Sequence, residues 1–227
     1  MPAREELEIV LLSLKVASWG VAWSLPLAVA TAFVLARRRF PGKTLFDAAV
    51  HLPLVLPPVV VGFALLVLFG RNGPLGRLLE PLGIVFAFRW TGAALAAAVM
   101  GFPLMVRAIR LAIDAVDPRL EIAARTLGAG AWRVFFTVTL PLAWPGLVTG
   151  ALLGFARALG EFGATITFVS NIPGETQTLP LAIYTFTQSP GQDAQALHLS
   201  LLSVALSLGA LALSEWLVRR ERPAHAP

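Results

Sequence analysis

Few residues in this sequence have the type and spacing to do chemistry. Arg157 and Glu161 stand four apart in an otherwise apolar stretch, so on a helix they share one face. Inside a bilayer each costs about 2.5 to 3.5 kcal/mol on insertion scales unless it is paired or wet. They read as a salt bridge or as an anion-attracting element of a pathway. Beyond them, Thr165, Thr167, Ser170 and Asn171 offer hydroxyl and amide donors that suit an oxyanion and a solvated helix end equally well. A second pair of the same spacing, Glu121 and Arg125, lies beside Leu120, Ala123, Ala124 and Leu127, which recur at i, i+3, i+4 and i+7. The pattern predicts a short helix with one apolar face, capped by Asp117, opened by Pro118 and closed by Gly128. A helix of about ten residues is marginal alone in water, so it must dock, on its own protein's membrane surface or in a partner's groove.

Other chemistries find no residues to carry them. The sequence has no cysteine, and His51, His198 and His225 lie too far apart for a local metal site, so no metal is expected. Pro41-Gly42-Lys43-Thr44 matches the end of a nucleotide-binding P-loop. The position where that motif needs its first glycine is Arg37, and the preceding segment reads as a membrane helix rather than a strand. Lys15 reads as a snorkelling residue at a span end, and His51, beside Pro53, Pro57 and Pro58, as a partner for backbone carbonyls. A membrane enzyme would need a clustered nucleophile, base or metal set.

The elements that position these residues follow from composition. The 227 residues are 57% apolar and 14% charged, against roughly a quarter charged in a soluble domain. A span takes about 20 apolar residues. Five windows qualify, giving an all-α membrane protein in one domain over 1–227: about 11–36, 52–69, 91–109, 143–168 and 199–218. The first is read as a retained helix, since the acidic stretch before it lacks the basic start of a signal peptide. Twelve basic residues fall on one side: Arg37, Arg38, Arg39 and Lys43, then Arg107, Arg110, Arg119, Arg125 and Arg133, then Arg219, Arg220 and Arg222. Five lie opposite, namely Arg4, Lys15, Arg71, Arg77 and Arg89. Positive charge is retained inside, so the N-terminus is expected outside and the C-terminus inside, with a structured inner loop over about 110–142. In the fourth window Gly146, Gly150, Gly154 and Ala158 form a small-residue face for helix packing, within the chain or between two copies.

Three segments carry a resemblance. Glu121-Ile-Ala-Ala-Arg-Thr-Leu-Gly128 with Leu140-Pro141 resembles the EAA loop of ABC importer permeases, with Ile122 where the first alanine often stands. His51-Leu-Pro-Leu-Val-Leu-Pro-Pro-Val-Val-Val-Gly62 and the stretch from Gly160 to Thr176 are similar to the permease subunits of molybdate importers, and the similarity runs from about Leu7 to Leu217. The resemblance implies a type I importer permease of MetI-like architecture in the bacterial cytoplasmic membrane. It implies a homodimer, two ABC ATPase subunits carrying ATP and Mg, an extracytoplasmic molybdate-binding protein, no cofactor on this chain and no nucleic acid. Glu121, Ala123, Ala124, Arg125, Gly128, Leu140 and Pro141 would then couple to the ATPase, while Arg157, Glu161, Thr165 and Thr167 are candidates for the pathway. Importers of tungstate, sulfate or thiosulfate, and an oxyanion channel without ATP coupling, are the rival readings.

Overall fold

The computed structural model describes residues 3–221, and within them every side chain except those at 3, 211 and 213–221. Among the described residues all regular structure is helical. In chain order the helices are α1 (Ala3–Arg37), α2 (Lys43–Val55), α3 (Pro58–Phe69), α4 (Pro74–Leu79), α5 (Trp90–Ala115) and α6 (Pro118–Thr126). They continue with α7 (Ala131–Val134), one π-helical turn (Phe135–Thr139), α8 (Leu140–Leu142), α9 (Trp144–Leu159), α10 (Gly163–Val169), α11 (Leu179–Thr187) and α12 (Asp193–Glu221).

Two of the expected spans are single helices and two are broken. α1 and α5 are each long and apolar enough to cross a membrane alone, and both run past the expected 11–36 and 91–109. The window 52–69 is not one helix: Leu52–Val55 ends α2, and α3 leaves it at 111°. Pro57 and Pro58 supply no N–H, and the proline ring pushes Leu56 out of helical geometry to ψ 143. Ala131–Leu142 and α9 likewise meet at 69°. The window 143–168 breaks again over 160–162, between α9 and α10. The fifth window lies within α12, although Arg219 and Arg220 fall outside the described side chains, and Arg222 and His225 outside the described residues.

α5 is the spine. Ala93, Ala94, Ala96 and Ala97 are buried toward its Trp90 end, where α1, α3 and α10 close on it. Met105, Val106, Ile109 and Ile113 are buried toward its Ala115 end, against α1 and the start of α9. The glycine face of α9 lies on this second half, within the same chain. A Cβ on Gly154 would sit 2.8 Å from Met105 Cγ, one on Gly150 3.0 Å from Ile109 Cγ1, and one on Gly146 would overlap the Ala112 Cβ. The short helices α3 and α10 cross as closely, since a Cβ on Gly62 would lie 2.5 Å from the Ala164 carbonyl oxygen. Ser13 joins a third group: its Oγ donates to Ile9 O at 2.8 Å and accepts from Leu179 N at 2.7 Å, so α1 caps the start of α11.

Lys15 does more than reach a span end, because its ammonium lies 3.6 Å from the Trp90 ring centre and stacks on it as a cation. His51 faces the Asp47 carbonyl oxygen at 2.9 Å, one turn before the 52–69 window whose carbonyls it is expected to meet, and also the Asp47 carboxylate at 3.1 Å. The Gly42-Lys43 segment of the P-loop fragment is the turn that starts α2, with Gly42 at φ 83.

Candidate functional site: an inverted helix and a buried ion pair

α6 is built by its ends. The Asp117 side chain accepts from Arg119 N at 2.9 Å, and Pro118 takes the first position, where a missing N–H costs nothing. At the other end Gly128 stands at φ 85, Gly128 N donates to Arg125 O at 2.9 Å, and Ala129 N to Ala124 O at 3.0 Å. That pair of bonds is a Schellman closure, and the left-handed residue it needs is the glycine.

The faces of this helix are reversed relative to a helix lying on its own protein. Glu121, the one acidic residue of the helix, is buried at 7% exposure, while Leu120, Ile122 and Leu127 are exposed, Leu127 at 88%, as are Arg119 and Arg125. Ala123 is exposed and Ala124 half-buried. Glu121 does not pair with Arg125 as its i,i+4 spacing predicts. Its Oε1 accepts from Arg37 Nε at 3.0 Å and from Thr139 Oγ1 at 2.9 Å. The better partner lies on α1 because a carboxylate that turns inward needs a cation that is already there. Arg125 instead lines a cavity of about 930 Å³ with Phe33, Arg37, Trp132, Phe136 and Leu140. Pro141 is exposed. Trp132 stacks on Phe136 with ring centres 6.3 Å apart, and both rings are largely exposed.

The second site sits where α9 stops. Arg157 Nη1 lies 2.6 Å from Glu161 Oε2, with the Arg157 side chain 27% exposed and that of Glu161 2%. The other oxygen, Oε1, accepts from Ala164 N at 2.8 Å and so caps α10 across the break. The carboxylate therefore holds both half-helices. Of the donors beyond it, Thr165 is buried, and Thr167 spends its hydroxyl on Gly163 O at 2.9 Å. Asn171 donates to Thr185 Oγ1 at 2.6 Å, and Ser170, at φ 63, gives its carbonyl to Thr176 Oγ1 at 3.1 Å. Two of the four side chains, those of Thr167 and Asn171, thus donate inside the fold, while Ser170 is exposed. Among the described residues, no three His, Asp or Glu side chains gather to hold a metal.

A long buried spine, two broken spans and an outward apolar helix on one inter-span loop are features to set against known proteins. Residues 24–223 match the family described as binding-protein-dependent transport system inner membrane component. The chain belongs to this family. It is 62% identical over 96% of its length to the molybdenum transport system permease protein ModB of Escherichia coli, covering 95% of that protein. It is 58% identical over 95% of its length to the protein of the same name from Haemophilus influenzae, covering 94% of it. A probable sulfate transport system permease protein of Chlorokybus atmophyticus is 42% identical over 69% of the chain and 54% of that protein. Among solved structures, a bacterial ABC transporter for alginate import superposes with a TM-score of 0.76 at 16% identity, over 97% of this chain and 81% of that one. The MetNI methionine ABC transporter, in an inward-facing form, gives 0.67 at 18% identity, over 96% and 94%. Both show the same fold.

For a member of this transport family, the sequence locates α6 and its caps but not Arg37, Thr139 or Trp132. In the sequence Arg37 is only one positive charge among twelve and the residue that breaks the P-loop spacing. Nothing local marks it, or Thr139, as a partner of Glu121.

Proposed function

We propose that this chain is the membrane-spanning subunit of an ATP-driven molybdate importer, itself not an enzyme. Two copies would form the pathway, two separate ABC ATPase subunits would hold ATP and Mg, and an extracytoplasmic binding protein would deliver the anion. The observation that carries the reading is the reversed α6. Leu120, Ala123 and Leu127 are exposed while Glu121 is buried. Exposed apolar knobs on a capped helix cost free energy unless a partner's groove covers them. ATP-driven closure of the partner would pull the two copies of α6 together, and the spans would rock so that the anion delivered outside is released inside. The close identity to proteins named for molybdenum transport supports the substrate, and the weaker match to a sulfate permease ranks sulfate and thiosulfate behind it, with tungstate the nearest competitor.

The test is co-purification with the ATPase, then reconstitution with the binding protein. Molybdate uptake should depend strictly on ATP and yield to excess tungstate before excess sulfate. Uptake without ATP would indicate a channel, and preference for sulfate would overturn the substrate.

The basic asymmetry supports an outside N-terminus. The absence of cysteine makes this directly testable. Single cysteines at Gly42 and Ala131 should resist an impermeant maleimide in intact cells, and one at Asn72, exposed on the opposite connection, should react. Labelling of Ala131→Cys from outside would reverse the orientation and remove α6 from the ATPase side.

A further inference from the structure

The buried carboxylate of Glu121 sits where α1 and α5 end and the chain turns toward α9. Arg37 is the last residue of α1, and its Nε donates to Glu121 Oε1 at 3.0 Å while its Nη2 donates to Val116 O at 3.0 Å. Val116 is the residue on which α5 stops. Thr139, 1% exposed, is the last residue of the π-helical turn that leads into α8 and α9, and it supplies the second donor. One guanidinium and one carboxylate therefore fasten α6 to the ends of α1 and α5 and to the segment entering α9. The pair is largely enclosed, with side chains 17% and 10% exposed. In such surroundings the geometry is held tightly, because either charge left alone is poorly solvated. The apolar residues of α6 lie on the opposite side, free to meet a partner.

We infer that Arg37 and Glu121 form the internal strut that transmits displacement of α6 to α1, α5 and α9, so that Glu121 acts by positioning the coupling helix and not by touching the ATPase. The inference rests on the importer reading above. It assigns to Glu121 a role opposite to that of a contact residue on the coupling surface, and it gives Arg37 a role that its place in a basic cluster does not announce. A rigid strut matters here because α6 is short and exposed, and the connection from Leu127 to Gly130 includes two glycines. Without the ion pair, a push on α6 would be absorbed locally.

The experiment uses the reconstituted complex and three variants, Arg37→Gln, Glu121→Gln and the double replacement. The readouts are ATPase retained on the permease and molybdate transported per ATP hydrolysed. Each single variant should hold the ATPase and hydrolyse ATP as the wild type does, yet transport less per ATP by about tenfold, the scale on which coupling networks act. The double variant should lose no more than the worse single, because both changes remove the same link. Loss of the ATPase from Glu121→Gln but not from Arg37→Gln would place Glu121 in the contact surface and overturn the inference. Additive losses, or wild-type stoichiometry in both singles, would do the same. If the singles fail to accumulate in the membrane, Thr139→Val decides, since it removes one of the two donors and leaves the ion pair. A several-fold fall in transport per ATP supports the strut, and an unchanged ratio defeats it. A wild-type chain that holds no ATPase at all would instead sink the importer reading, and the strut with it.

Discussion

Leu127→Asp is expected to strip the ATPase from the permease and abolish ATP-driven uptake while leaving the amount of membrane-inserted chain unchanged. Leu127 is 88% exposed, so its side chain makes little packing within the fold, and it stands at the end of α6 in a conformation (φ −81, ψ 10) that any residue adopts. The fold has little to lose. A partner groove that buries this leucine gains about 1.5 to 3 kcal/mol from it. An aspartate there forfeits that gain and adds the cost of desolvating a carboxylate with no cation supplied. At about 1.4 kcal/mol per decade, the leucine alone is worth on the order of tenfold to a hundredfold in affinity at each of two contacts. Pull-down of the ATPase by tagged permease in detergent reads the loss directly, with uptake measured on the same preparation. Full retention of the ATPase would mean that the exposed apolar face is not the contact, and the observation supporting the functional reading would have to be explained by lipid or by a second copy of the chain.

What the sequence makes legible in α6 is whatever is local. Asp117, Pro118 and Gly128 fix the helix ends through bonds spanning two to five residues, and each is visible in the order of the letters. The direction in which Glu121 turns is different, because it depends on a guanidinium 84 residues away. The i,i+4 rule offers Arg125 as the neighbour, and a surface pair of that kind is worth only a few tenths of a kcal/mol, too little to hold Glu121 outward once a buried cation competes for it. The spans divide in the same way. Window length finds the apolar stretches, yet Pro57-Pro58 outweighs the uniform hydropathy around it, since two absent N–H groups and a restricted Leu56 cannot be averaged away. At Gly160 no proline gives warning. The break is stabilised by Glu161 capping the next half-helix, and so the residue that looks like a trespasser in the membrane is the one that makes an interruption of the backbone affordable. The glycines of α9 announce a close approach, but periodicity alone leaves two candidate neighbours. Met105, Ile109 and Ala112 of the same chain fill that place.

The double role of Glu161 sharpens what should follow from changing the ion pair. Arg157→Gln combined with Glu161→Gln is expected to fold, to assemble with the ATPase and to keep basal ATP hydrolysis, while losing most molybdate uptake when substrate is limiting. The amide oxygen of a glutamine can still accept from Ala164 N, so the cap on α10 survives, and neither half of the pair is left as a stranded charge. Glu161→Ala is the contrasting case. It removes the cap and leaves Arg157 without its partner, and breaking a buried pair from one side costs about 3 to 5 kcal/mol, enough to deplete the folded protein in the membrane. The distinction between structure and pathway then lies with Arg157, whose side chain is 27% exposed where Glu161 is enclosed. If that exposed edge meets the passing dianion, the double amide has removed the attraction while preserving the architecture. The deficit should then shrink as molybdate is raised to saturation, appearing in KM more than in the maximal rate. Wild-type uptake at low molybdate in a well-folded double variant would assign the pair wholly to joining α9 and α10, and an equal fall at all concentrations would assign the defect to the movement of those half-helices and not to the anion.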